Sequence, residues 1–213
     1  MSTALPLAIV GEARAVTTAA GIARAGGIAC ETLVLESRDA FRFALGPAQI
    51  LHPSGAWRLF VALDERAVNQ ARIELVAQAA AAGWTLATIV SPLAFVDPST
   101  RLGANVLIAP GVQVGAGACI GEASILRANA VVAAGAHIGT GCTLGEAAQL
   151  RAGARLGRGC TLGPGCTVAE TITIGEHSEL LLPVSFAEAV PARSFFDPLL
   201  PHGARIVGRR TTD

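Results

Sequence analysis

The chain has 213 residues, enough for one large domain or two small ones with a sizeable core. Its 16 basic and 16 acidic residues cancel, which argues against nucleic acid or anionic lipid as the main partner. Every basic residue is arginine, so a lysine Schiff base and a P-loop lysine are both excluded.

Met1 to Arg14 carries no basic n-region, so no secretory leader is expected and the chain reads as cytoplasmic. Leu7-Ala8-Ile9-Val10 predicts a short buried strand that turns at Gly11. Glu12 to Arg24 predicts a helix that stops at Gly26-Gly27, and Thr32 to Leu35 a second strand ending before Glu36. Leu59 to Leu63 predicts a third strand. Glu65 to Ala82 predicts a helix with Val68, Leu75, Val76 and Ala79 on one face, and Thr85 to Val90 a fourth strand. Strands alternating with helices imply a parallel α/β sheet of Rossmann type over residues 1–95. Ser91 to Thr100, with Pro92 and Pro98, reads as a connector.

From Leu102 onward a different rhythm takes over. Fourteen hexads begin at Leu102, Ile108, Val114, Ile120, Leu126, Val132, Ile138, Leu144, Leu150, Leu156, Leu162, Val168, Ile174 and Leu180. An aliphatic residue at every sixth position marks a solenoid whose neighbouring turns bury one another's apolar row. Three hexads close one coil, so the repeats predict four full coils and two sides of a fifth, a prism roughly 20 Å long. Gly111, Gly117, Gly135, Gly141, Gly153, Gly159 and Gly165, with Asn105 and Asn129, hold the fourth positions, where the corner needs positive φ. The β-helix is assigned to residues 96–185 and a proline-containing tail to 186–213. The uncharged runs Leu102–Gly121 and Ala128–Gly145 keep the six-residue phase, so they read as solenoid, with no membrane insertion. The five cysteines lack a ligand-like spacing and read as small buried thiols.

A small α/β domain, a connector, hexapeptide coils and a tail ending Gly203-Ala204-Arg205-Ile206-Val207-Gly208 together resemble the bacterial sugar acyltransferases of the sialic-acid O-acetyltransferase and bacillosamine N-acetyltransferase type. The resemblance implies a left-handed parallel β-helix, a homotrimer, acetyl-CoA or another acyl-CoA lying between neighbouring prisms, and a small-molecule sugar or nucleotide-sugar acceptor held by the N-terminal domain. It implies acyl transfer assisted by a general-base histidine.

The sequence departs from that pattern at the base. The hexad that resembles the catalytic one reads Val132-Ala133-Ala134-Gly135, so Ala134 replaces the histidine and Gly135 its carboxylate neighbour, while Thr143 replaces a second histidine. His137, on the outward sixth position of the same hexad, is the remaining candidate base or else a surface histidine; it is expected to stack with Cys119, Arg155 and Thr173. Gly11, Arg14 and Glu36 are the candidate acceptor-binding residues, although the glycine-rich phosphate loop is reduced to Gly11 and the more ordinary reading of the other two is a solvated loop residue. Arg155, Arg158 and Arg205 are candidates for the CoA phosphates, in two groups with Arg151 and with Arg193, Arg209 and Arg210; the competing reading is a solubilising surface. No metal is expected, because a prism-borne zinc site needs three converging histidines and His137 and His177 are two coils apart. The alternative to an enzyme is a non-catalytic trimeric binding or scaffold protein that keeps the prism and has lost the base.

Overall fold

The computed structural model describes residues 5–37, 41–65 and 69–206. Val68, Val207, Gly208, Arg209 and Arg210, invoked above, lie outside these.

The N-terminal unit is a four-stranded parallel sheet. Its elements are β1 (Leu7–Gly11), α1 (Ala13–Ala25), β2 (Cys30–Val34), α2 (Gly46–Leu51), β3 (Arg58–Ala62), α3 (Gln70–Ala81) and β4 (Thr85–Leu86), and the strands are ordered β2-β1-β3-β4. Alternation along β1 sends Leu7 and Ile9 towards α1 and Ala8 and Val10 towards α3, so each face of the sheet has its own packed layer. Helix α2 has no counterpart in the sequence reading, because its six residues are too few to show a period.

The solenoid starts earlier than the hexads suggest. Ile89-Val90 pairs with Leu107-Ile108, and Phe95-Val96 pairs with Gln113-Val114, so Val90 and Val96 are two further members of the apolar row. The stretch expected as a connector therefore carries a strand of the first coil, and the boundary drawn at 95/96 falls inside that coil. Likewise, the strand expected over Thr85–Val90 divides: Thr85-Leu86 completes the α/β sheet and Ile89-Val90 opens the prism.

Three parallel sheets form the faces of the prism. Face one carries seven rungs, Ile89-Val90, Leu107-Ile108, Ile125-Leu126, Thr143-Leu144, Thr161-Leu162, Glu179-Leu180 and Ser194–Asp197, which bound six turns where the hexad count gave fewer than five. Face two runs from Phe95-Val96 to Ser185-Phe186 and face three from Arg101-Leu102 to Thr173-Ile174. Successive rungs lie eighteen residues apart in strict register, as in Val114↔Val132 and Leu144↔Leu162. The aliphatic starters from Ile108 to Leu180 are buried along the axis, and the fifth-position residues Ala118, Ala130, Cys142, Ala148, Ala154, Cys160 and Cys166 are buried at the corners. Each aliphatic side chain removed from water contributes about 1.5–3 kcal/mol.

Every expected fourth-position glycine, with Asn105 (φ 54°) and Asn129 (φ 60°), has positive φ. Ala123, Ala147, Thr171 and His177 hold the same conformation without a glycine, because the ladder on both sides dictates the corner. The eighteen-residue spacing holds past Pro183 as far as the pair Val168↔Phe186. Beyond it the spacing shortens: Leu180 pairs with Phe196, and Ser194–Asp197 folds back antiparallel on Leu200–Arg205 as a hairpin across the end of the prism.

The two units join through buried polar groups. Asn105, at the first corner between faces three and one, receives the Val61 N–H on Oδ1 (2.7 Å) and donates Nδ2 to the Val61 carbonyl (3.0 Å), taking the ladder position that β4 leaves vacant beside β3. Arg72 of α3 is 0 % exposed. Its guanidinium donates to the carbonyls of Leu63 (3.0 Å) and Ala123 (2.7 Å), to Asn69 Oδ1 (2.9 Å) and to Thr143 Oγ1 (2.9 Å), with longer bonds to the Gly141 and Cys142 carbonyls. Asn69 Nδ2 extends the network to the Gly159 and Cys160 carbonyls and to Thr161 Oγ1. Burial lowers the Arg72 pKa to about 10, with Glu65, Cys142 and Asp64 offsetting part of that effect, so the group stays cationic at neutral pH.

Arg72→Ala is expected to destabilise the chain by about 3 kcal/mol or more, since each orphaned buried acceptor costs roughly 1–3 kcal/mol. The urea midpoint of unfolding measures this, and a loss below about 1 kcal/mol would contradict the network's role.

Candidate functional site

Parallel strands bring their C-terminal ends to one edge of the sheet, and the order β2-β1-β3-β4 places the switch in chain direction between β1 and β3. Gly11 ends β1 there. A Cβ at this residue would lie 1.9 Å from the Ala62 carbonyl oxygen, and its φ is +146°, so Gly11 is needed for the close approach of β1 to β3. The Glu12 N–H donates to the same carbonyl (2.9 Å), and Glu12 is the N-cap of α1.

Beside this edge, α1 and the corners between faces one and two enclose a cleft of about 490 Å3. Its walls are largely apolar: Ile22 from α1, Phe60 from β3, and Leu93, Leu107, Ile125 and Leu126 from three coils. A second hollow, also about 490 Å3, continues along the later corners past Thr143, Gly145 and Gly163 to Glu179 and Leu181. Arg14, Asp64, Arg127 and Glu146 line both.

These shared residues form the charged waist of the cleft. Arg127 Nη2 lies 3.1 Å from Asp64 Oδ1 and 2.6 Å from Glu65 Oε2, and Nη1 lies 3.9 Å from Glu146 Oε1. Burial lowers the Arg127 pKa, but the hydrogen bond it donates to Glu65 and the attraction of Glu65, Asp64 and Glu146 outweigh it and hold the guanidinium above its usual value. Among the described residues Arg127 thus meets three carboxylates, two from the turn after β3 and one from the next coil.

Of the sequence candidates for the acceptor, Arg14 lies in the first turn of α1 and lines the cleft, Gly11 packs the strand edge beneath it, and Glu36 is exposed after β2 and lines neither hollow. Asp64, Arg127 and Glu146 were missed. The signal available was Arg127 itself, a charge set beside a long uncharged stretch of hexads.

His137 opens a rung of face three, exposed, and pairs in register with Cys119 below and Arg155 above, with Thr173 next in the ladder, as the hexad phase requires. Arg101 Nη2 donates to Cys119 Sγ (2.9 Å) on the same face. Ala134 is exposed at the edge between faces two and three and lines neither hollow. Thr143, by contrast, is 1 % exposed and is held in the interdomain network, where its hydroxyl donates to Asn69 Oδ1. Arg155 and Arg158 are exposed on face three and the corner that follows it, and Arg205, in the terminal hairpin, donates Nε to the Ala192 carbonyl (3.2 Å) at the last such corner. Among the other histidines, His52 is buried against Trp57 and bonds Glu31 (3.0 Å), which accounts for it structurally. Among the described residues no three His, Cys, Asp or Glu side chains converge as a metal site, and no helix is long and apolar enough to cross a membrane.

Residues 85–183 match the family model of the GMPPB C-terminal domain. No curated protein matches the chain significantly. Among solved structures the chain is similar to PerB of Caulobacter crescentus in complex with CoA and GDP-perosamine: 27% identity over 91% of this chain and 94% of that one, TM-score 0.78. A histidine-to-alanine mutant of the same GDP-perosamine N-acetyltransferase, also in complex with CoA and GDP-perosamine, gives 29% identity over 91% and 93%, TM-score 0.76. The acetyltransferase domain of PglB from Neisseria gonorrhoeae, in complex with acetyl coenzyme A, gives 20% identity over 91% and 96%, TM-score 0.79, a likeness of fold. The structural neighbours are thus sugar N-acetyltransferases, and the architecture is an α/β domain on a left-handed β-helix.

Cys142, Cys160 and Cys166 are buried, and burial raises the thiol pKa well above the ordinary value at Cys142 and to about 12 at Cys166. Titration of the native chain with a small aromatic disulfide is expected to modify Cys30 and Cys119 alone, and all five once it is unfolded. Rapid modification of a third thiol in the native state would contradict the packed corners.

Proposed function

We propose that the chain is an acyl-CoA-dependent N-acyltransferase whose acceptor is the amine of a sugar or nucleotide sugar. The observation that carries this reading is the cleft: a ligand-sized hollow with a charged waist, at the C-terminal edge of the α/β sheet, on a chain 27–29% identical over 91% of its length to an N-acetyltransferase complexed with CoA and GDP-perosamine.

In the proposed reaction the acceptor nitrogen attacks the thioester carbonyl carbon, the C–S bond breaks, and the proton lost by nitrogen passes through a base to the departing CoA sulfur. The products are an amide and the CoA thiol. His137 is the proposed base, in place of the residue that is Ala134 here, and general-base help of this kind is worth roughly a hundred- to ten-thousandfold. Arg155, Arg158 and Arg205 are the proposed partners of the CoA phosphates. The acceptor cleft opens at the edge between faces one and two, whereas His137 stands on face three, so the two meet only if a second prism packs alongside. A homotrimer supplies that arrangement.

The competing reading, a binding protein without turnover, rests on Ala134 and Gly135, which offer no side chain to accept a proton. It is favoured by a histidine-to-alanine neighbour that still holds both ligands.

Calorimetric titration with acetyl-CoA is expected to give micromolar binding at one site per chain; absence of heat with acetyl-, formyl- and longer acyl-CoA would end the acyl-transfer reading. Light scattering should return about three times the 21.6 kDa chain mass. With turnover established, His137→Ala should lower kcat/KM at least roughly a hundredfold, and an unchanged rate would remove it as the base.

A further inference from the structure

Helix α1 presents two faces to two different surroundings. Ala15, Val16, Ala19, Ala20, Ile22 and Ala23 are buried in the core that α1 shares with the sheet and the prism. Arg14, Thr17, Thr18, Gly21 and Ala25 recur at helical spacing on a second face; all five are exposed and all five line the cleft.

The composition of that second face is poor for a helix. Thr17 and Thr18 are β-branched, and each returns its hydroxyl to the carbonyl four residues before it, Ala13 (2.8 Å) and Arg14 (3.0 Å). Gly21, in the helix interior, is the weakest helix former after proline. Nothing within the chain asks for a glycine there. A Cβ at Gly21 would meet no atom within 4 Å, and Gly21 is not among the residues with positive φ. Gly11, by contrast, is held by both conditions. Gly21 therefore has neither a steric nor a conformational duty in the fold, and what it supplies is room in the cleft. The other walls of that arm are apolar: Phe60 from β3, and Leu107, Ile125 and Leu126 from the prism. With their hydroxyl protons given to the helix, Thr17 and Thr18 add no free donor. A slot with one wall stripped of side chain and the other aliphatic suits a flat, uncharged group, and the C–H face of a pyranose ring is one.

We propose that Gly21 is a specificity-determining residue of the acceptor site: the sugar ring of the acceptor lies by its C–H face against the α1 backbone at Gly21, in the space where any other residue would carry a side chain. This rests on the acyl-transfer reading and gives its acceptor a contact residue.

The test is calorimetric titration of the full chain saturated with acetyl-CoA, with GDP-perosamine, UDP-glucosamine and free glucosamine as probes. At least one of the three is expected to bind saturably, and Gly21→Ala and Gly21→Leu are compared with the unaltered chain on that probe. Both substitutions should raise the urea midpoint, because each places a better helix former at an open position. Both should weaken the probe, by at least about threefold for alanine and at least about thirtyfold for leucine, with acetyl-CoA binding unchanged. A residue with a structural role alone does not give a gain in stability together with a loss of binding that grows with side-chain size. Arg24→Ala, at an exposed α1 position that does not line the cleft, should leave the probe affinity unchanged. Unchanged or tighter probe binding by Gly21→Leu overturns the inference. So does a lower urea midpoint for Gly21→Ala, which would give Gly21 a packing duty, and so does the absence of saturable heat from all three probes. Each of these outcomes leaves the acyl-transfer reading intact as long as acetyl-CoA binds. Failure of the unaltered chain to bind acetyl-CoA ends that reading, and this inference with it.

Discussion

A single buried guanidinium ties the two halves of this molecule together. Arg72 has six neutral oxygens as hydrogen-bond acceptors, drawn from the loop before α3, from Asn69 and from successive corners of the prism. Removing a cation from water is costly, and the cost is met only where the acceptors surround it in fixed geometry. Parallel coils provide such geometry, because each corner repeats the carbonyl of the one below. The Asn69 amide uses the same rails, and the Asn105 amide reaches from its own corner to the Val61 backbone. The α/β domain is therefore seated at a defined height and rotation on face one.

The cleft follows from that seating. Fixed at the edge between faces three and one by Arg72, Asn69 and Asn105, the domain meets the opposite edge through α1 and the turn after β3. Between these and the corners at Leu93, Pro110 and Ala128 the surfaces do not close. The waist at Arg127 is the second point of contact, made by ions instead of amides, and it is partly exposed where Arg72 and Asn69 are fully buried. A tight polar hinge line on one edge and an open charged one on the other leave a ligand-sized gap between them.

The prism was the most legible part of the sequence, because an axial row of aliphatic residues is a periodic signal and periodicity survives without any tertiary knowledge. The limits of the prism were less legible. At Val90 and Val96 the apolar row continues, but Pro92 and Pro98 resemble linker chemistry and mask it; prolines fit here because coil corners also need turns. At the other end the shortened spacing from Leu180 to Phe196 had no pattern to announce it. The site was legible only at Arg14. Asp64, Arg127 and Glu146 are 63 and 19 residues apart in sequence, and the fold alone brings them to one point. Gly11 was read as a phosphate-loop remnant; the Ala62 carbonyl at its back gives it a packing duty.

The joints between domain and prism at Asn105, Ala123, Gly141 and Gly159 fall on four consecutive coils. A coil gained or lost among them would carry every later joint about 4.8 Å out of reach. Repeat proteins ordinarily lengthen by duplicating units anywhere along the stack. In this one the docked domain acts as a ruler: whole-coil growth in its descendants is confined to the stretch after Thr161, and the lower four coils are locked in number.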